Sequence, residues 1–146
     1  MSLSFAEQIK NWRNKTTQRM ELVFQESIQE LGKQANKQRS RGGNMPVKTS
    51  FLMNSLTAAI NKVPSGQGEA PAGYSGKTWD NTDFLLVTNR AKIGDRVTIG
   101  YVANYAIYME ARYKFLRLAA QDWPQIVKRV TRRVDKRVSE NAQRNN

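Results

Sequence analysis

The sequence of 146 residues contains no cysteine and no histidine. These absences exclude disulfide scaffolds, thiol nucleophiles, the usual zinc ligand sets, imidazole bases and Ser-His-Asp triads. There is also no run approaching the roughly 18 apolar residues of a membrane helix, and the spaced apolar residues of the N-terminus are unlike a signal peptide. We therefore expect no membrane partner and a single domain over residues 1–146, since a chain of this size buries a sufficient core without cross-links.

Positive charge is in excess and unevenly distributed. The chain has 24 Lys+Arg against 12 Asp+Glu, a formal charge of +12. Residues 1–48 carry nine cations and four carboxylates, residues 49–96 five and four, and residues 97–146 ten and four. The basic flanks suit a polyanion such as DNA or an acidic protein surface, although a solvated helix face explains them equally well.

The N-terminal segment has the pattern of one long amphipathic helix over residues 4–35. Its apolar residues follow spacings of three and four, from Phe5 and Ile9 through Trp12 to Ile28. Ser4 and Glu7 form a capping box. A helix of about 45 Å is long for so small a domain, so we expect it to extend beyond its own core or to pack on a neighbouring subunit.

The middle of the chain is predicted from shorter signals. Thr49 is placed to cap a short helix over Ser50–Ser55. Residues 56–63 alternate weakly and fit either a helix or a strand, and we favour a helix passing into a strand. Residues 64–82, rich in glycine and proline, form a long loop of the functional kind, with Tyr74 and Trp79 docking it.

Two apolar runs favour a β-hairpin. Phe84–Thr88 and Arg96–Tyr101 are the predicted strands, with the turn over Asn89–Asp95. A short helix is predicted over Ala103–Ala111, and a last helical stretch over Phe115–Glu140, divided near Trp123-Pro124. The predicted fold class is α+β: a small antiparallel sheet flanked by helices, with a long N-terminal amphipathic helix and a basic C-terminal helix over residues 123–140.

Few residues are suited to catalysis. Asp80 and Asp83 are the only pair in a position to bind a divalent cation, which would be the basis of a metal-dependent nuclease; turn and capping roles fit two carboxylates better. We expect no enzyme activity and no cofactor.

The basic C-terminal helix is the candidate contact with DNA or with an acidic partner. A stripe of Val127, Val130, Val134 and Val138 predicts its buried face. Cations cover the rest of this helix, and they can neutralise phosphates without reading bases. These cations are the basis of an alternative function as a nonspecific nucleic-acid-binding accessory protein. The cations are Lys128, Arg129, Arg132, Arg133, Lys136 and Arg137.

Three segments taken in order carry a family resemblance. They are GNMPVKTSFLMNSL (43–56), VTIGYVANYAIYMEA (97–111) and KFLRLAA (114–120). Over residues 43–120 the chain resembles the head–tail joining proteins of long-tailed bacteriophages, called neck, tail-completion or minor tail components. Ser50 stands where that family usually has glycine, and Leu118 where proline is common.

The resemblance implies a structural virion protein at the neck or tail top, assembled in the cytoplasm of the bacterial host. It implies a homo-oligomeric ring that joins the capsid portal complex to the tail. The implied partners are head-closure or connector proteins, tail-terminator or tail-tube proteins, and the double-stranded DNA that passes through.

The motif residues are candidates for the ring interface, with burial in the monomer core as the alternative. Glu110 is also a candidate for an ion pair with Arg112 or Arg117, between subunits or within one. The candidate interface residues are Pro46, Val47, Thr49, Phe51, Leu52, Tyr105, Tyr108, Glu110, Phe115 and Leu116.

Overall fold

The computed structural model describes residues 3–145 and has an α+β fold, as predicted. A long N-terminal helix and a C-terminal helix pack together, and a two-stranded sheet with shorter helices lies beside them. The elements in chain order are α1 (Phe5–Ala35), a 3-10 turn (Arg39–Arg41), α2 (Phe51–Asn54), β1 (Leu56–Ile60), α3 (Thr82–Thr88), β2 (Val97–Tyr101), α4 (Ala106–Tyr113), α5 (Phe115–Gln121) and α6 (Trp123–Arg144).

Helix α1 confirms the predicted span and its cap. The amide of Glu7 donates to the Ser4 hydroxyl at 3.2 Å, and the Ser4 amide donates to the Glu7 carboxylate at 2.9 Å. Burial divides the helix into two parts: residues 5–15 are exposed throughout, whereas Ile28 and Ala35 are buried. The helix therefore extends beyond its own core, as its length suggested.

Helices α1 and α6 pack antiparallel. Gln34 donates to Asp122, Glu30 pairs with Arg133, and Glu26 pairs with Arg137, so the positions increase along one helix as they decrease along the other. Between the helices the side chains of Ile126, Val130 and Val134 are fully buried. The predicted stripe is confirmed at Val130 and Val134, while Val127 and Val138 are only half-buried at its edges.

The sheet pairs different strands from those predicted. Strand β2 is antiparallel to β1, with Leu56 opposite Tyr101 and Ile60 opposite Val97. The prediction of a hairpin between Phe84–Thr88 and Arg96–Tyr101 is wrong, because residues 84–88 lie in α3. Phe84 and Thr88 are buried and Leu86 is exposed, which is the period of a helix.

The other boundaries follow the sequence closely. The short helix ends at Asn54, so the helical part predicted within residues 56–63 is wrong and its strand part is confirmed. The helix predicted over 103–111 begins at Ala106, and the break before Pro124 falls at Asp122.

None of the helices in residues 3–145 combines the length and apolar character needed to cross a membrane.

The long loop is docked on the domain itself. The ring of Tyr74 packs edge-on against Phe51, with centroids 5.4 Å apart, and Trp79 lies 6.0 Å from Phe84. The side chain of Asn54 accepts from the Asp80 amide and donates to the Thr78 carbonyl. The two predicted anchoring aromatics therefore fix the loop to the core beneath it.

Candidate functional site

A concave cleft of about 520 Å³ lies between α4 and the loop that leads into α2. We call it the motif cleft, because two of the three family-like segments, 43–56 and 97–111, contribute to it. Five of the ten candidate interface residues line it, namely Pro46, Val47, Thr49, Leu52 and Tyr105. The fold therefore brings together side chains that are more than fifty positions apart in the sequence.

The loop wall of the cleft is held by a small bridge of backbone. The Arg39 amide donates to the Met45 carbonyl at 3.0 Å, and the Met45 amide donates to the Lys37 carbonyl at 3.0 Å. Gly42 turns the chain between them at φ 86°, a conformation that L side chains rarely adopt. Met45 is fully buried, so it fixes the position from which residues 46–49 leave the core.

The start of α2 forms the base of the cleft. Ser50 is buried, has φ 71° and is the N-cap of α2, without a side-chain cap hydrogen bond. Thr49, the predicted cap, therefore lies one position before the N-cap, and its hydroxyl accepts from the Phe51 amide at 3.4 Å. A non-glycine residue in the left-handed region is strained by about 1–3 kcal/mol and is often found at functional sites. This is the position at which the family resemblance led us to expect glycine.

Tyr105 joins the two walls of the cleft. Burial raises the pKa of its hydroxyl, and hydrogen bonding with the Thr49 side chain and the Leu52 backbone partly offsets that rise. The ring lies 6.5 Å from that of Phe51, which is buried under the cleft. Tyr105 therefore packs near Phe51 of α2 and lines the cleft.

The rim of the cleft is cationic. Arg39 and Lys48 line it without any carboxylate in the lining. The guanidinium of Arg39 lies 4.8 Å from the ring centroid of Tyr113, and that of Arg112 lies 5.4 Å from the same ring. Cation–π contacts of this kind order the guanidinium groups, so the positive charge has a defined position.

Sequence reasoning missed several lining residues, although one signal was present. Arg39, Lys48, Met45, Met109 and Tyr113 line the cleft and were not among the candidates. Between Glu30 and Glu69 the chain has six cations and no carboxylate. That one-sided stretch marks the cationic wall.

The other candidate interface residues are divided between core and surface. Phe115 is buried with Phe51 and Leu52, Leu116 is half-buried, and Tyr108 is 76% exposed beside Ile107 at 73%. Phe51, Leu52 and Phe115 therefore lie in the monomer core, as the alternative reading proposed. Tyr108 is exposed and free to contact another molecule.

Glu110 is not in an ion pair with Arg112 or Arg117 within the described residues. Its two carboxylate oxygens accept from the amides of Leu116 and Arg117, at 3.0 and 2.9 Å. Lys114, at φ 55°, turns the chain between α4 and α5 so that this carboxylate reaches the free amides of the new helix. Glu110 is therefore a helix cap.

The six cations of α6 have two different environments. Arg133 and Arg137 pair with Glu30 and Glu26 of α1, the latter at 2.6 Å. The side-chain hydrogen bond to Glu26 raises the pKa of Arg137. Over residues 3–145 the other four form no ion pair within 4.0 Å, and they lie on the face turned away from the buried stripe. We call Lys128, Arg129, Arg132 and Lys136 the basic ridge.

A third surface feature is the exposed part of α1, residues 5–15, which we call the arm. Phe5, Ile9 and Trp12 lie on one helical face at 77%, 49% and 69% exposure. The face continues through Met20 into an apolar groove of about 470 Å³ beside α6, lined also by Val23 and Trp123. Large apolar side chains arranged in this way mark an interaction surface.

The two carboxylates that were candidates for a cation site have separate structural roles, a turn at Asp80 and the first turn of a helix at Asp83. Asp80 accepts from the amide and the hydroxyl of Thr82, at 3.0 and 2.7 Å, and these hydrogen bonds lower its pKa. Asp83 lies in the first turn of α3. Within the described residues there is no group of three or more acidic side chains that could hold a metal ion.

No protein-family model, curated protein or solved structure matches this chain.

Proposed function

We propose that the chain is a structural virion protein of a tailed bacteriophage. It forms part of the ring that joins the capsid portal complex to the tail, and it acts by assembling with itself and with neighbouring head-closure and tail proteins. The order of the three family-like motifs supports the assignment to the neck. The arm is the observation that carries the assembly function.

The arm is an unpartnered amphipathic helix of about 16 Å, at 1.5 Å per residue. In proteins most helical stability comes from tertiary packing of an apolar face, and the arm, although continuous with the packed part of α1, has no such packing within the described residues. The large side chains of Phe5 and Trp12, both more than two-thirds exposed, gain about 1.5–3 kcal/mol each when fully buried. Burial between copies supplies the packing that the monomer does not.

A second exposed apolar patch supports contacts with neighbouring subunits on more than one side. Ile107 and Tyr108 lie next to each other on α4 and are more than 70% exposed. Aromatic residues are enriched in the buried centres of protein interfaces. The arm and this patch belong to different elements, as a subunit with a neighbour on each side in a ring requires.

The assembly is tested with a variant that removes the apolar face of the arm, F5S/I9S/W12S. Mass photometry and negative-stain imaging of the unmodified chain are expected to show oligomers, and the variant is expected to be monomeric with an unchanged core. The matched control Q8S/N11S/K15S alters the polar side of the same arm and is expected to assemble normally. An unmodified chain that stays monomeric at every concentration, or equal loss in both variants, contradicts the proposal.

The virion assignment has a separate test. Mass spectrometry of purified phage particles is expected to detect the chain in a fixed ratio to the portal protein, and labelling is expected to place it at the neck. A chain that is absent from purified particles contradicts the assignment while leaving self-assembly intact.

The basic ridge favours one alternative, nonspecific binding of nucleic acid. Lys128, Arg132 and Lys136 follow each other at intervals of four residues, about 6 Å along the helix. Unpaired cations along one line can displace counterions from a phosphate backbone. This function needs no reaction centre and is compatible with DNA passing the protein.

A salt series measures this alternative directly. Each phosphate contact contributes about −0.9 to the slope of log K against log salt. The variant K128Q/R132Q/K136Q is expected to reduce the magnitude of that slope by the contribution of about three phosphate contacts. The control K10Q/R13Q/K15Q makes the same charge change on the arm and is expected to leave the slope unchanged. Equal effects of the two variants would exclude a specific role of the ridge.

A further inference from the structure

We propose that the motif cleft binds an extended, acidic segment of a partner polypeptide. The segment carries carboxylates that meet the cationic rim and apolar side chains that enter the cleft between them. This inference rests on the cleft alone, and it stands whether or not the chain is a virion component.

The charge of the rim selects the sign of the ligand. Arg39 and Lys48 line the cleft, and Arg112, outside the lining, lies over the ring of Tyr113. Lys48 and Arg39 are exposed and form no ion pair with any described residue. Carboxylates of a partner meet cations here that no internal carboxylate neutralises, and such complementarity accelerates binding and excludes basic ligands.

The floor of the cleft selects for apolar side chains between the acidic ones. Val47, Tyr105 and Met109 contribute accessible apolar surface, and the cleft volume of about 520 Å³ is enough for a few side chains. Methionine is flexible and polarisable, so it adapts to side chains of different shape. A ligand that is only acidic would leave this surface in contact with water.

The backbone of the loop wall is suited to an extended chain. The amides of Val47, Lys48 and Thr49 donate to no other backbone group of residues 3–145. They directly follow the bridge that pairs Gln38 with Met45. A peptide that runs beside this segment gains main-chain hydrogen bonds, which is the general way in which an extended ligand adds to an exposed backbone edge.

A nucleic acid fits the cleft less well. Base stacking needs a free aromatic face, but the guanidiniums of Arg39 and Arg112 lie over the Tyr113 ring, and the Tyr105 ring packs towards Phe51. The apolar surface of the cleft also offers nothing to a phosphate backbone. The features therefore favour a polypeptide.

The test uses the full chain and a fluorescein-labelled peptide of about ten residues that alternates glutamate and leucine. Fluorescence anisotropy is expected to show saturable binding. R39E and K48E are each expected to weaken binding about tenfold or more, since each turns an attraction into a repulsion. The matched control R41E lies in the same 3-10 turn but outside the lining of the cleft, and it is expected to change binding by less than about twofold.

Two further ligands separate the proposed recognition from charge alone. A peptide that alternates glutamate and serine is expected to bind more weakly, because it leaves the floor unfilled. A single-stranded oligothymidine of equal charge is expected to compete poorly. The proposal is overturned by equal binding of the two peptides, by stronger binding of the oligonucleotide through Arg39 and Lys48, by equal loss in R41E, or by no binding of the glutamate–leucine peptide at all.

Discussion

The hydroxyl of Tyr101 donates a hydrogen bond of 2.6 Å to the side-chain oxygen of Asn36. Asn36 is buried at the end of α1, and its amide group donates to the Met53 carbonyl in α2 at 3.1 Å. A single side chain thus ties the C-terminus of the long helix to β2 and to the helix under the motif cleft. The position of the cleft relative to α1 depends on this connection.

Removing the tyrosine hydroxyl tests the connection. Y101F leaves a buried amide oxygen without its donor, and we expect a loss of about 1–3 kcal/mol in the free energy of unfolding. Denaturant titration followed by circular dichroism measures it. Y113F, which removes a hydroxyl from the half-buried tyrosine of the cleft wall, is the control, and a loss as large in Y113F would contradict the special role of Tyr101.

The buried hydroxyl of Tyr101 is also expected to make the free energy of unfolding fall at alkaline pH. Burial, with a contribution from the Glu110 carboxylate, raises the pKa of Tyr101 well above its ordinary value of 10.0. Between the unfolded and the folded pKa the native state binds the proton more tightly, so the free energy of unfolding falls as the pH rises above about 10. Y101F is expected to flatten this fall. An equally steep decline in Y101F would show that another group controls it.

The sequence predicts best the elements whose signals are local. The Ser4–Glu7 box and the proline at position 124 mark the helix boundaries that the structure shows. The strand prediction for Phe84–Thr88 is wrong because four consecutive apolar residues carry no clear period. The contacts that decide the structure are also distant in sequence, since Phe84 packs in a cluster with Ile28 and Leu56. The cleft was half predicted, through its motif residues. The position of Arg39 in its cationic wall depends on a contact with Tyr113, which is distant in sequence, and no local pattern indicates that contact.

Gly32 is needed for the close packing of α1 on α3. A methyl group at this position would lie 2.7 Å from Cζ of Phe84 and 3.2 Å from Cδ2 of Leu56, and both side chains are buried. Alanine normally stabilises a helix by about 1 kcal/mol relative to glycine, but overpacking costs about 1–3 kcal/mol. We expect G32A to be destabilised in thermal unfolding. G100A, where the added methyl meets nothing within 4 Å, is the control and is expected to be neutral or slightly stabilised.

Two buried hydroxyls are expected to respond in opposite directions to their removal. The hydroxyl of Ser27 is buried without a hydrogen-bond partner among the described residues. The hydroxyl of Thr88 donates to the Phe84 carbonyl and accepts from Gln29, each at 3.0 Å. We expect S27A to raise the free energy of unfolding by about 1 kcal/mol and T88V to lower it by about 1–2 kcal/mol. Chemical denaturation of both variants measures the signs, and destabilisation of S27A would mean that its hydroxyl has a partner in solution.

Glu110 is expected to stabilise α5 through its two hydrogen bonds rather than through charge pairing. E110A removes the acceptors of the Leu116 and Arg117 amides, and the loss of such a cap costs about 0.5–2 kcal/mol. R112A removes a neighbouring cation that has no ion pair in the described part of the chain, and the loss of its exposed cation–π contact with Tyr113 is expected to cost about 0.5 kcal/mol. Amide hydrogen exchange distinguishes the two explanations, because capping predicts faster exchange of Leu116 and Arg117 in E110A only. Equal destabilisation of the two variants would instead support the ion pair between Glu110 and Arg112.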